Sequence, residues 1–247
     1  MVTFIYDGSF DGLLCCVFES YVKKIMPDRI IEERNFTPLL LEQNYAIATS
    51  PQHAQRVQAG IEEKIDAKVM QKVYKVFLSE QENVGVLLLR YIHLLFAKGA
   101  AIDYDYRNPV VLKIKQIHKQ IHREVHRMHA FVRFEKTVQG LYYATVEPDF
   151  NVIPLIGDHF KKRYADQHWM IFDCKRNVGV YYDQSSMMLV EWSAEAQNNI
   201  VFMPEEKTYT YLWKNYFDSV NISERKNTKL HLRHMPKRYW KYLPEKH

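Results

Sequence analysis

The feature that most limits what this chain can fold into is a change of period near its middle. From Val110 to about Met128 the apolar residues Ile114, Ile117, Ile121, Val125 and Met128 recur at spacings of three and four, so they share one stripe of a helix. Beyond that helix the spacing drops to two. Segments 131–134, 141–146, 169–173, 178–183 and 187–192 then read as strands, with turn-forming links between them. The link at 175–177 is short enough for an antiparallel hairpin, whereas 155–165, between the second and third strands, carries a helical pattern.

Upstream of the switch the reading is mainly helical. A short strand at 3–6 leads through Asp7-Gly8-Ser9 into a helix from Phe10 to Ile25, with Ser9 as N-cap. Short strands follow near 30–33 and 45–48, and Ser50-Pro51 opens the first of three further helices, at 51–65, 67–79 and 84–98. The tail returns to helix at 209–220 and ends in a basic, aromatic segment. The expectation is an α+β fold: a mainly helical N-terminal half packed on a mostly antiparallel sheet, with a helical C-terminal tail. At 247 residues it is read as one domain, 1–247, which would subdivide, if at all, into 1–104 and 105–247.

Hydrophobic residues at 47% and charged residues at 26% are ordinary for a globular chain. The longest apolar run, 84–97, is broken by Arg90 and His93 and is too short to span a bilayer, and MVTFIYDGSF does not open like a signal peptide. Cys15, Cys16 and Cys174 make no even disulfide set, and the first two sit in an apolar helix as core residues. A reducing, cytoplasmic setting without membrane contact is expected.

The net charge of +5 is unevenly spread. Residues 107–136 carry +6 and residues 207–247 carry +7, leaving −8 for the rest. Two concentrated basic blocks suggest a polyanionic partner. On the helix 110–128, Lys115, Lys119, Arg123 and Arg127 lie opposite the apolar stripe, with His118, His122 and His126 between them. Such a face suits a phosphate backbone; a metal site and a plain solvated helix are the competing readings. Gly157-Asp158-His159-Phe160-Lys161-Lys162-Arg163-Tyr164 sets an acid, a base and cations on neighbouring helical turns, so Asp158 and His159 are candidate catalytic groups and Arg163 a phosphate clamp. A salt-bridged surface helix fits the same spacing. Near the end, Arg233, Arg238, Tyr239 and Trp240 interleave cations with rings, which suits single-stranded nucleic acid. The rings at 239 and 240 packing against the core is the alternative. Finally, the turn at 6–12 could offer helix N–H groups to an anion, although it matches no nucleotide-binding motif.

Four strings occur in order along the chain: YDGSFDGLLCCVFESY, HRMHAFVRFE, LIGDHFKKRYADQHWMIFDCKRNVGVYYD and ERKNTKLHLRHMPKRYWKYLPE. Together they resemble an uncharacterised bacterial family labelled probable DNA metabolism protein. The resemblance implies a role in DNA modification or repair beside a radical-SAM partner protein, and an association, in some chains, with a uracil-DNA glycosylase domain. No Cys-x-x-x-Cys-x-x-Cys motif occurs here, so the radical chemistry is assigned to the partner. Arg127, Arg133, His159, Arg163, Tyr164, Arg238, Tyr239 and Trp240 fall within the matching strings and are candidate functional positions, His159 as a catalytic group and the others as nucleic-acid contacts. The expected function is a DNA-binding accessory protein with no cofactor of its own. The alternatives are an enzyme using His/Asp acid–base chemistry on a damaged base and a protein-interaction module without DNA contact.

Overall fold

In a computed structural model, residues 1–191, 200–219 and 227–246 are described. The chain divides into two compact units, 1–121 and 122–247, and the fold class is α+β, as the change of period implies.

The first unit is built on a three-stranded parallel sheet in the order β2-β1-β3, where β1 is Val2–Tyr6, β2 Arg29–Glu32 and β3 Gln43–Ala46. Between β1 and β2 runs α1 (Phe10–Lys23), capped by Ser9, whose Oγ accepts from the Gly12 N–H at 2.9 Å. Five successive α1 residues, Leu13 to Val17, are fully buried, so both adjacent cysteines are core residues. Three helices complete the unit, α2 (Pro51–Lys64), α3 (Ala67–Phe77) and α4 (Val84–Lys98). Their apolar faces bury Ile61, Val73, Leu88, Leu89, Ile92 and Leu95. The turn at 6–12 is already occupied by an anion of the chain itself. Asp7 accepts the Ser9 N–H at 2.9 Å, the Ser9 hydroxyl at 2.7 Å and the Thr49 hydroxyl at 2.8 Å. Burial pushes its carboxyl up, but these hydrogen bonds outweigh that and hold it below the usual range. A Cβ at position 12 would lie 2.2 Å from Asp7 Oδ1, so any larger residue there has to displace that carboxylate from its hydrogen bonds.

The helix read from the 3.6-residue period, α5, spans Pro109–Phe131 and crosses the division between the units. Its buried stripe is Val111, Ile114, Ile117, Ile121, Glu124 and Met128, with Glu124 1% exposed where an apolar residue was expected, and Val125 only half-buried. The expected strand at 131–134 is not formed. Phe131 ends the helix, and Arg133 Nη1 donates to the Ala130 and Val132 carbonyls at 2.7 and 3.3 Å, satisfying acceptors that a helix end leaves open.

The second unit holds a five-stranded sheet in the order β4-β5-β6-β7-β8: Glu135–Lys136, Tyr142–Val146, Trp169–Asp173, Val178–Tyr182 and Met187–Glu191. The β5–β6 pair is parallel and its crossover is α6 (Ile153–Arg163); the other pairs are antiparallel, including the expected β6–β7 hairpin. Central β6 is buried along its whole length. Between α6 and the sheet lie Ile156, Phe160, Trp169, Ile171 and Val180. The C-terminal elements are α7 (Glu206–Ser219), α8 (Thr228–His234) and two short 3-10 turns, Lys237–Tyr242 and Pro244–Lys246. The last residue of the strand expected at 187–192, the end of the helix expected at 209–220 and part of the basic block 207–247 lie outside the described residues. No helix among the described residues is long and apolar enough to cross a membrane.

Candidate nucleic-acid interface

A concavity of the second unit sits at the N-terminal ends of the parallel pair β5 and β6, where Tyr142 and Trp169 are register partners. Three further segments close around this point. The end of α5 and the residues after it contribute Ala130, Val132, Arg133 and Phe134; the end of α6 and its loop contribute Arg163, Tyr164, Asp166 and Gln167; α7 contributes Trp213. The cavity measures about 650 Å³, within the range of small-ligand sites.

Its walls are aromatic for a local reason. Phe134, Phe160, Tyr164 and Trp169 pack edge-on or tilted, with centroids 5.4–6.2 Å apart where they meet Phe134 or Trp169, the arrangement that ring quadrupoles favour. Trp169, one of the lining residues, is fully buried. Its Nε1–H has no acceptor among the described residues. The opposite wall is set by one carboxylate. Glu245, whose side chain is 1% exposed, accepts from Arg133 Nη2 at 2.8 Å and from Trp213 Nε1 at 2.9 Å, while the Arg133 guanidinium lies 5.4 Å over the Trp213 ring. Burial pushes the Glu245 carboxyl up, but hydrogen bonds from its own backbone N–H, from Trp213 and from Arg133 overcome this and keep it below its ordinary range. Arg133 is therefore a charge-neutralised structural wall. Arg163 differs: it is exposed, bonds only the Tyr164 hydroxyl at 3.3 Å, and has no carboxylate partner among the described residues.

The structure thus brings Arg133, Arg163 and Tyr164 together, and it distributes the other candidates elsewhere. Arg127, Arg238 and Tyr239 converge on Glu124, which accepts from Arg238 Nη2 at 3.2 Å and from the Asp149 N–H at 2.9 Å and lies 3.6 Å from Arg127 Nη1. Arg238 also pairs with Asp149 at 2.8 Å, and its guanidinium covers the Tyr239 ring at 4.5 Å. Tyr239, 2% exposed, packs on Phe131 and offers no free face to a base. Trp240 is half-buried, with Nε1 donating to the Met235 carbonyl at 3.0 Å. Arg123 and Arg233 are exposed, and so, in the first unit, are Lys115 and Lys119, with Lys115 over the Tyr106 ring. Asp158 is exposed on α6, and His159 stacks at 4.0 Å not on an acid but on His129. His129 is pushed down to about 4, first by burial and then by His159, His126 and His122. Among the described residues no group of three or more His, Cys, Asp or Glu side chains is placed to hold a metal ion.

Tyr142, Trp169, Trp213, Glu245, Glu124 and His129 were not singled out by the sequence. Trp169 and Tyr142 looked like ordinary strand residues, and only the parallel register puts them side by side. Glu124 did leave a trace, as a lone acid amid the cations of α5.

No curated protein and no solved structure matches the chain. A family described as a domain of unknown function (DUF4130) matches residues 81–245, a span that takes in every wall of the cavity. The chain belongs to that domain-of-unknown-function family, DUF4130.

Proposed function

We propose that this protein is a DNA-binding accessory factor of a DNA repair or modification system, acting beside a radical-SAM or glycosylase partner. The observation that carries the reading is the aromatic cavity of the second unit, lined also by the exposed guanidinium of Arg163, which has no carboxylate partner among the described residues. Aromatic side chains clustered beside an exposed cation are the elements from which single-stranded nucleic-acid sites are built. The likeness of four separated strings to the DNA metabolism family supports the same choice of polyanion, and the excess of positive charge in residues 107–136 is consistent with it.

Binding to a fluorescent single-stranded oligonucleotide, followed by anisotropy at several salt concentrations, tests this. Affinity should fall with salt on a log–log slope of about −0.7 per phosphate contacted. Absence of binding, or binding indifferent to salt, removes the proposal. Turnover of uracil-containing or alkylated oligonucleotides by the purified protein alone would replace it with a catalytic role.

A further inference from the structure

We infer that the first unit carries a stacking site for an unpaired base of a single strand, the exposed ring of Tyr104, with cations beside it for the flanking phosphates; the inference rests on the DNA-binding reading and says which residue holds a base. The site is a shallow basin on the stretch between α4 and α5, lined by Lys98, Tyr104, Tyr106 and Arg107 among others. Tyr104 is 74% exposed, and among the described residues no other ring and no cation packs on it. The turn that carries it is fixed from below. Gly99, at φ +74°, lets the chain leave α4 for the 3-10 turn Ala100–Tyr104, whose Ile102 and Asp103 are buried. The Asp103 carboxylate accepts from the Tyr91 hydroxyl of α4 and from Lys72 Nζ of α3, which ties the turn to two helices. With two anchors directly before it, Tyr104 is presented on an ordered backbone, and little order has to be gained when a ligand stacks on its ring.

The charges around the ring select an anionic ligand. Lys115 Nζ lies 3.4 Å over the Tyr106 ring and is thereby held beside the basin, and Lys119 follows one turn further along α5, about 6 Å on at 1.5 Å per residue. Lys98, in the last turn of α4, has no ion-pair partner among the described residues. Arg107 pairs with Asp105 at 2.8 Å, but its side chain is 92% exposed; an ion pair so open contributes little, so the guanidinium can exchange that carboxylate for a phosphate. Against Lys98, Arg107 and Lys115 the lining sets a single acid, Asp105. Stacking on a phenol ring needs no hydrogen-bond match, so any base is accepted. Inside a duplex both faces of a base are already covered, so the base has to be unpaired.

The test uses the full chain and two fluorescent probes, an oligothymidylate and an abasic strand of the same length, which keeps the phosphates and lacks the bases. The parent chain should bind the oligothymidylate more tightly. Tyr104→Ala should weaken that probe about 5- to 150-fold, the range for one base stacked on an aromatic side chain, and leave the abasic strand unchanged. Tyr104→Phe, which keeps the ring, should retain the parent affinity. Lys98→Gln and Lys115→Gln should weaken both probes and each lower the salt slope by about 0.7. Equal affinity of the parent for the two probes, an oligothymidylate affinity that Tyr104→Ala leaves intact, or an equal loss on both probes overturns the inference while DNA binding stands. Salt slopes that neither lysine variant changes remove the phosphate contacts from it. Failure of the parent chain to bind either probe overturns the DNA-binding reading itself.

Discussion

His129 shows how a residue read only as part of a motif acquires a physical role from its surroundings. Its imidazole is half-buried, stacked on His159 at 4.0 Å and edge-on to Phe160, with Nε2 lacking a partner among the described residues. Such a ring is accommodated neutral and disfavoured charged. Its folded-state value of about 4 lies below the ordinary 6.5, so between those two values the unfolded chain binds the proton and the folded chain does not. Stability should therefore be complete above pH 6.5 and decline as pH falls towards 4. His129→Phe preserves an aromatic contact with His159 and does not titrate. Urea unfolding at pH 7 and at pH 4.5 should show a smaller difference for this variant than for the parent chain, and an unchanged difference would assign the acid sensitivity elsewhere.

At the level of elements, Glu124 decides how the C-terminal turn is attached to α5. A carboxylate buried to 1% gathers Arg238 from the turn, the Asp149 N–H from the loop before α6, and Arg127 from its own helix. Breaking a buried pair from one side leaves charge uncompensated, which typically costs 3–5 kcal/mol. Arg238 is 40% exposed and water screens it, so Glu124→Ala should cost about 3 kcal/mol in urea unfolding, and Glu124→Gln, which still accepts the Asp149 N–H, less. A loss below about 1 kcal/mol would mean that the cluster is ornamental to stability. The elements themselves were largely legible in the sequence. The periods of α5, β5 to β8 and α4 are strong, and the caps Ser9 and Ser50 fix two helix starts. What failed was local. Phe131 and Val132 suggested a strand, yet Arg133 curls back to satisfy the helix carbonyls, a contact that no spacing rule anticipates. The candidate site was legible only in fragments. Arg163 and Tyr164 were visible as a cationic, aromatic pair, whereas Trp169, Tyr142 and Trp213 come together through strand register and through a helix more than forty residues downstream of Trp169.

For the molecule as a whole, formal charge overstates the charge available to a partner. Arg133, Arg176, Arg238 and Lys241 are matched internally to Glu245, Asp173, Glu124 with Asp149, and Glu147. Lys119, Arg123, Arg163 and Arg233 have no such partner among the described residues. DNA affinity should reflect this division. Lys119→Gln and Arg123→Gln should each lower the salt slope by about 0.7–0.9 if they meet phosphate, whereas Arg238→Gln should leave the slope alone and reduce stability. Equal slope changes at all three positions would show that the internal pairs open on binding. Glu245 carries a last consequence. The same carboxylate that orients Arg133 and Trp213 lies in the 3-10 turn Pro244–Lys246, so one wall of the cavity is anchored from a turn that contributes no lining residue of its own. Glu245→Ala would release Arg133 and Trp213 together and slacken the wall without removing any ring, a remote lever on the shape of the cavity.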